Sequence, residues 1–291
     1  MITMRIFGAR FLLAATVVAL IGLVGAPAVL ATPPATVGLG TAASFAVLAA
    51  SPKVANTGPT VINGNLGISP AAAVTGFPPG IVHGTIHKGD AVALQAQSDL
   101  TTAYTDAAGR PVTATHGTLG GLTLVAGVYN AGGAVLGLTG TLTLDGQNNP
   151  DSVWIFQATS SLVTASSSVV KLINGASSCN VFWQVTSSAT LGSGSTFVGT
   201  VMALTSITMA RGVTMHGRAL ARNGTVTLIN DRITSSRCFT GGPVASPPNT
   251  SSVAPADRRG SGPSPVLFAG LFLVGFLLVS HQLWLRSRRP R

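Results

Sequence analysis

Residues 154–172, WIFQATSSLVTASSSVVKL, match residues 181–199, VFWQVTSSATLGSGSTFVG, with Gln157 over Gln184. The self-similarity continues along the chain in two further steps of 18 and 19 residues, which place 188–191 over 206–209 and 207–209 over 226–228. Imperfect repeats of short alternating segments separated by Gly are typical of a β-solenoid, in which each repeat packs on its neighbours. We therefore predict a chain of stacked β-coils.

The alternation within these segments predicts which side chains point into the coils. Successive side chains of a strand lie on opposite faces, so the aliphatic set should be buried and the hydroxyl set exposed. The residues expected inside are Ile207, Met209, Val226 and Leu228, and those expected outside are Ser206, Thr208, Thr225 and Thr227.

The composition favours a β-rich fold and leaves few groups for catalysis. The 291 residues include 35 Gly but only 17 Lys or Arg and 7 Asp, with no Glu. Glycosidase chemistry needs a positioned pair of carboxylates and metal-assisted hydrolysis needs clustered ligands. The five His residues are dispersed, and no Cys or His spacing points to a metal. The composition therefore disfavours both kinds of chemistry without excluding either, and it suggests no catalytic residue or metal ligand.

The net charge of +10 is concentrated outside the central region. Residues 32–240 carry nine basic and six acidic side chains, a net charge of +3, and the basic residues are scattered. Nucleic-acid binding needs Lys and Arg clustered against phosphates. We therefore expect no nucleic-acid partner.

One segment has helical rather than β periodicity. Residues 89–109, GDAVALQAQSDLTTAYTDAAG, begin with Asp90 as a helix cap and end with Gly109. The apolar stripe predicted for this amphipathic helix must cover one flank of the coils, and it consists of Val92, Ala96, Leu100, Ala103, Tyr104 and Ala107.

Both ends of the chain predict export and anchoring. Residues 1–31 combine two Arg, an apolar run and small residues before a cleavage site, as a secretory signal does. After the 32–240 domain, residues 241–265 are rich in Pro, Gly and Ser and should form an extended linker. Residues 266–285 are apolar and about long enough to span a bilayer, and the basic tail 286–291 should remain cytoplasmic. These features predict a domain held at the cell surface by a C-terminal transmembrane helix.

Cys179 and Cys238 are the only two cysteines of the chain. Both lie in the part predicted to be exported, where an isolated pair favours a disulfide over two reduced thiols.

Blocks of the central region, in fixed order, resemble the microbial ice-binding protein family over about residues 36–238. The resemblance implies a discontinuous right-handed β-solenoid of triangular section, with the long helix packed alongside. It also implies a monomer that binds ice crystals without covalent chemistry, metal or cofactor. The blocks include GTAASFAVLAAS (40–51), NTGPTVINGNLGISP (56–70), LTLVAGVYN (122–130), FWQVTSSATLGSGSTFVGTVMA (182–203) and GRALARNGTVTL (217–228).

The resemblance also implies where ice is bound. One flat face of the family carries Thr-Ala/Gly-x-Thr/Asn repeats, and residues 57–60, 193–196 and 211–214 can be aligned with them. Arg211 departs from the pattern and would put a cation beside the ice-facing plane. The alternative is that these are turn residues at coil corners. The ice-binding residues expected on this basis are Thr57, Thr60, Ser166, Ser168, Ser193, Thr196 and Thr214.

A second candidate face is the more regular row of residue pairs Ser188/Thr190, Ser206/Thr208 and Thr225/Thr227, provided that the helix leaves it uncovered. The alternative function is a β-solenoid surface adhesin that binds a polysaccharide or a protein. Sugar sites usually expose aromatics, whereas Trp154 and Trp183 lie in apolar strands that indicate a core position. A polysaccharide lyase or hydrolase would need clustered charged residues that this sequence does not suggest.

Overall fold

The computed structural model describes residues 33–133, 135–236 and 238, and this part of the chain is mostly β with one helix, as predicted. The helix is α1 (Ala91–Ala108), and two 3₁₀ turns span Gly40–Ser44 and Ser178–Asn180. The strands are β1 (Phe45–Ala49), β2 (Lys53–Thr57), β3 (Val61–Asn63), β4 (Asn65–Ile68), β5 (Ala73–Thr75), β6 (Ile81–Val82), β7 (Ile86–Lys88), β8 (Ala114–Thr115), β9 (Thr123–Leu124), β10 (Gly127–Asn130), β11 (Val135–Leu138), β12 (Thr141–Asp145), β13 (Trp154–Ala158), β14 (Ser161–Thr164), β15 (Val169–Ile173), β16 (Val181–Val185), β17 (Ala189–Leu191), β18 (Thr196–Ala203), β19 (Ile207–Met209), β20 (Thr214–Ala221), β21 (Val226–Ile229) and β22 (Arg232–Thr234).

These strands pair in parallel and stack in three rows. The helix-covered face runs β8-β10-β13-β16-β18-β20-β1-β4-β7. The Thr196 face runs β9-β12-β15-β18-β20-β22-β3-β6, and it uses the first residues of β18 and β20, whose later residues lie in the helix-covered face. The Thr208 face runs β11-β14-β17-β19-β21-β2-β5.

The order of the strands in space differs from their order in the chain. The first strand, β1, lies within its row between β20 and β4. The chain continues outward to β7 at one end of that row, and α1 then leads to β8 at the other end. The later coils return until β20 meets β1 and β22 meets β3. The 18 residues of α1 span about 27 Å at 1.5 Å per residue.

The interior follows the predicted alternation. All four residues predicted to point inward, between Ile207 and Leu228, are 0% exposed, and their hydroxyl-bearing neighbours are partly exposed. The prediction that Trp154 and Trp183 are core residues is also confirmed, since both are fully buried. Each indole has its N–H satisfied by a backbone carbonyl, which a buried Trp requires.

Helix α1 begins and packs as its sequence predicts, with one shift in the apolar stripe. The Asp90 side chain accepts a hydrogen bond from the Ala93 N–H at 2.9 Å, which caps the first turn. The stripe packs on the helix-covered face, where Leu100 is fully buried. Val92 was expected in the stripe but is 48% exposed, because Ala93 takes the inward position in the first turn.

Glutamine side chains fasten α1 to the strands beneath it. Gln157 Nε2 donates to the carbonyls of Ala107 and Arg110, both at 2.9 Å, and so satisfies backbone acceptors at the end of the helix. Gln184, the neighbour of Gln157 in the next coil, donates to the Tyr104 hydroxyl at 2.7 Å. The two glutamines that the repeats align thus hold the same helix.

The predicted disulfide between Cys179 and Cys238 is present, with the Cα atoms 5.4 Å apart. Beside it lies Arg218, which is 3% exposed and donates to the carbonyls of Ala43 and Ser236. Burial lowers the pKa of this guanidinium. The disulfide and Arg218 together hold the last described residues against the coils.

The predicted signal (1–31), linker (241–265), transmembrane segment (266–285) and basic tail (286–291) lie outside the described residues. Among the residues that the structure describes, no helix has both the length and the apolar character needed to cross a membrane.

Candidate functional site

The Thr208 face and the Thr196 face meet at a corner where several residues have a left-handed backbone conformation. Gly194 and Gly212 have φ values of +68° and +78°, a region that costs an L-residue about 1–2 kcal/mol. Backbone hydrogen bonds join successive coils at this point, for example from the Gly194 N–H to the Arg211 carbonyl. The other described residues with positive φ between these two faces are Gly58, Gly76, Gly140, Ser167 and Asn230.

The expected Thr-Gly-x-Thr motif spans this corner instead of lying in one plane. Ser193 precedes the left-handed glycine and is exposed at the edge of the Thr208 face. Thr196 follows the corner and pairs with Thr214 in the first row of the Thr196 face, where both are partly exposed. Thr57 and Ser166 are exposed on the same side of the corner as Ser193.

Two expected ice-binding residues, Thr60 and Ser168, are buried and cannot contact a surface. Pro59 adds a residue to its corner, so Val61 rather than Thr60 pairs with Arg232. The Thr60 hydroxyl instead accepts from the Asp231 N–H at 3.0 Å.

Ser168 is buried because of the register of its coil. Val169, not Ser168, pairs with Thr196. The Ser168 hydroxyl therefore points inward and donates to the carbonyls of Leu138 and Ala165. The shift of Thr60 was missed because a corner can gain one residue without changing its residue types. The Ser168 corner has the same length as that of the next coil, and Ser168 takes the same inward position as the buried Ser195.

Cations interrupt the Thr196 face. Arg232 is the next residue after Thr214 along the first row, and it is exposed. Lys171 is exposed in the second row, and Arg211 is exposed at the corner itself. The concern that Arg211 places a charge beside the plane is therefore supported, and Arg232 adds a second guanidinium.

The Thr208 face carries small uncharged side chains in register. Thr190 pairs with Thr208, and Thr208 pairs with Thr227, at one residue per coil. In the described strands of this face, the only charged residue is Lys53 in β2, near one end of the row. The hydroxyl side chains that flank the central row are Ser161, Ser188, Ser206 and Thr225.

The helix leaves the Thr208 face uncovered. Its buried stripe packs on outward-facing residues of the helix-covered face, among them Ile155, Phe182 and Leu220. Thr190 is exposed, and Thr208 and Thr227 are partly exposed. Since neighbouring parallel strands lie about 4.8 Å apart, the central row presents hydroxyls and methyls at that spacing.

Behind the corner lies Asp231, a buried acid at 3% exposure. Its carboxylate accepts hydrogen bonds from the N–H groups of Val213 (2.8 Å) and Ile229 (2.7 Å). These bonds lower the pKa of Asp231, but burial outweighs them and raises it to about 7. Asp231 thus links two successive coils at the junction of the two exposed faces.

Within residues 33–133, 135–236 and 238, no group of three His, Cys or acidic side chains is arranged to hold a metal ion.

Residues 47–234 match the model of the Ice-binding-like family, and the chain belongs to that family. It is 47% identical over 181 residues to an ice-binding protein of Nostoc sp. (strain HG1), covering 60% of this chain and 65% of that protein. An ice-binding protein of Colwellia sp. is 41% identical over 143 residues, covering 47% and 54%. The chain thus spans less than two thirds of the length of these relatives.

Solved structures extend the similarity to the fold. The crystal structure of an ice binding protein from an Antarctic biological consortium superposes with a TM-score of 0.68 at 45% identity, covering 70% of this chain and 93% of that one. The structure of an ice-binding protein from the ascomycete Antarctomyces psychrotrophicus gives 0.67 at 43% identity, covering 70% and 100%. The matched family and these relatives are all named for ice binding and not for an enzymatic reaction.

Proposed function

We propose that this protein binds ice through the Thr208 face. The observation that carries the proposal is the uncharged row Thr190–Thr208–Thr227, which is in register over three coils and open to solvent. The exposed corner residues Thr57, Ser166 and Ser193 border this face. The exposed Arg211 lies in the same corner row, so the proposed surface is the strand row and not this border. Thr196 and Thr214 lie beyond the corner and form the competing surface.

The physical argument rests on what ice presents to a protein. Ice is a neutral, ordered lattice of water, so a charge pressed against it is desolvated without compensation. Threonine is stiff at χ1 and holds its methyl and hydroxyl in fixed positions. Parallel coils repeat these groups at one spacing, so little entropy is lost on binding. The Thr208 face meets these conditions better than the Thr196 face, because Lys171 and Arg232 are exposed on the latter.

The finer architecture implied by the family is part of the proposal. Three strand rows per coil support a triangular section. Parallel strands joined by crossovers are almost always connected with a right-handed turn, which supports right-handed coils.

The cellular placement is also proposed. A signal at 1–31 would export the domain, and the apolar segment 266–285 would anchor it, with the tail 286–291 in the cytoplasm. A protein so placed would attach the cell to ice or restrain recrystallisation around it. Deleting residues 266–291 should move the protein from the membrane fraction to the medium, and retention in the membrane fraction would contradict the anchor.

Ice capture tests the function. The purified full chain, in a non-ionic detergent, is mixed with a globular control protein of similar mass while ice grows slowly on a cold finger. We expect the chain to be enriched in the ice and the control to be excluded. Exclusion of both would contradict ice binding. Exclusion combined with retention on an insoluble polysaccharide would favour the alternative of a surface adhesin.

A further inference from the structure

A groove of about 630 Å³ runs beside the first half of α1, between the helix and two corners of the coils. Its volume lies within the range of small-molecule sites in proteins. The lining combines polar and apolar surface in about equal parts, and it contains one charged side chain, Arg222. Ser69, Gln97, Thr101 and Asn223 line the groove with it.

The guanidinium of Arg222 is held in a fixed orientation. Its Nε donates to the Thr101 hydroxyl at 2.7 Å, and that hydroxyl donates in turn to the Gln97 carbonyl at 2.9 Å. Among the described residues, neither terminal nitrogen of Arg222 has a hydrogen-bond partner. A planar fork of free N–H donors, already ordered by a third bond, is suited to bidentate binding of a carboxylate.

The acidic side chains of the helix are engaged elsewhere. Asp90 bonds to Ala93 and His87, Asp99 to Thr41, and Asp106 to Arg110. In the described part of the chain, Arg222 takes part in no ion pair. The positive charge at the wall of the groove is therefore not neutralised by a neighbouring acid.

We propose that this groove binds a hexuronate, a sugar bearing a carboxylate, either as a free sugar or as a unit of an acidic polysaccharide. The carboxylate would pair with the two free nitrogens of Arg222. The sugar hydroxyls would bond to the neighbouring Ser98 and Asn223, which are exposed at the rim. The apolar wall formed by Pro70 and Leu94 would cover the less polar side of the ring. This binding is independent of ice binding, since the groove excludes the Thr190–Thr208–Thr227 row.

Saturation-transfer NMR on the full chain tests the proposal with galacturonate and galactose, which differ at the carboxylate. We expect galacturonate to bind with a Kd on the order of 1 mM and galactose at least about tenfold more weakly. Competition with bound galacturonate by trigalacturonate, at equal uronate concentration, tells whether the natural ligand is a free sugar or a unit of a polysaccharide. Stronger competition than by the monomer indicates a polysaccharide unit, and equal competition indicates the free sugar. Equal signals from galacturonate and galactose, or no signal from either, would overturn the proposal.

Variants assign the site. Arg222→Gln should weaken galacturonate binding at least about tenfold, whereas Arg211→Gln, which removes an exposed cation from the corner at Gly212, should leave it unchanged. If circular dichroism shows that Arg222→Gln is unfolded, Ser98→Tyr replaces it. Ser98 is exposed on the helix, so a Tyr ring at this position would fill the groove without disturbing the core. Galacturonate binding that is unchanged in Ser98→Tyr, or in an Arg222→Gln variant that is folded, would refute the site. Ice capture should be unchanged in Arg222→Gln and Ser98→Tyr, which separates this proposal from the proposed function.

Discussion

At the scale of single residues, Asp231 is the most unusual group of the domain. It is an acid buried where the Thr208 and Thr196 faces meet, and in the described part of the chain it forms no ion pair. Its two oxygens accept N–H groups of Val213 and Ile229. The corner that borders the proposed ice surface is therefore braced by a group that titrates near neutral pH.

The raised pKa of Asp231 predicts a pH dependence of stability. Its folded pKa of about 7 exceeds the ordinary value of 3.8, so the folded state binds the proton more tightly than the unfolded state does. The stabilisation is complete below the unfolded pKa and is lost as the pH rises through the folded pKa. As the pH rises from about 4 to about 7, the ionisation of Asp231 should lower the free energy of unfolding by at most about 1.4 kcal/mol per pH unit.

Denaturant unfolding of the wild type and of Asp231→Asn across that pH range measures this contribution. Asparagine does not titrate, so the difference in unfolding free energy between the two proteins should change across this window and be constant above it. A difference that stays constant from about pH 4 to about pH 7 would show that Asp231 is ionised in the folded state.

The sequence predicts the orientation of strand residues correctly, but not that of every corner residue. The alternation between Ile207 and Leu228 fixes which side chains point outward, because any other register would bury hydroxyls. No such penalty acts at the corners, where Pro59 adds a residue and moves Thr60 inside. Ser168 is buried without any such insertion, because it takes the inward position that Ser195 has in the next coil. The site could therefore be predicted to the level of its strands but not to each corner residue.

At the scale of elements, α1 is attached by its apolar stripe and by side chains that bond to its backbone. Leu100 is 0% exposed between the helix and its face, whereas Leu94 is 61% exposed on the same helix. The position of α1 was predictable from its 3.6-residue period and from the Asp90 cap. The bonds from Gln157 to the end of the helix were not, because nothing in the sequence links residues about 50 positions apart.

Leucine truncations test how strongly the helix is held. Leu100→Ala should lower the free energy of unfolding by about 2–5 kcal/mol, because it leaves a cavity under the helix. Leu94→Ala is the matched control and should change it by less than about 0.5 kcal/mol. Denaturant melts of the two variants and the wild type provide the comparison. Equal effects would mean that α1 does not pack as described.

At the scale of the whole molecule, the chain order makes the domain depend on contacts between distant segments. Strand β1 lies between β4 and β20, and the disulfide joins residues 59 positions apart. Sequence repeats predicted the stacked coils. The insertion of the first strand into the middle of a row was not predicted, because the repeats found in the sequence begin at residue 154 and do not include β1.

Removal of the disulfide should therefore cost stability. In the chain-entropy model a closed loop of this length is worth roughly 4 kcal/mol. Denaturant unfolding of the double variant Cys179→Ala, Cys238→Ala should give a free energy of unfolding that is lower by that amount. Added reductant should lower the stability of the wild type but not that of the variant. A loss below about 1 kcal/mol would mean that the disulfide adds little to Arg218 and the surrounding packing.

The most direct test of the central claim, that ice meets the uncharged Thr208 face, is the thermal hysteresis of two matched variants. Thr208→Tyr places a bulky ring at the centre of that face, and Thr214→Tyr makes the same change on the Thr196 face. Both positions are partly exposed members of parallel rows, so the two changes should disturb folding to a similar degree. We predict that Thr208→Tyr loses most of the wild-type hysteresis while Thr214→Tyr keeps most of it. The reverse result would place ice on the Thr196 face and contradict the account.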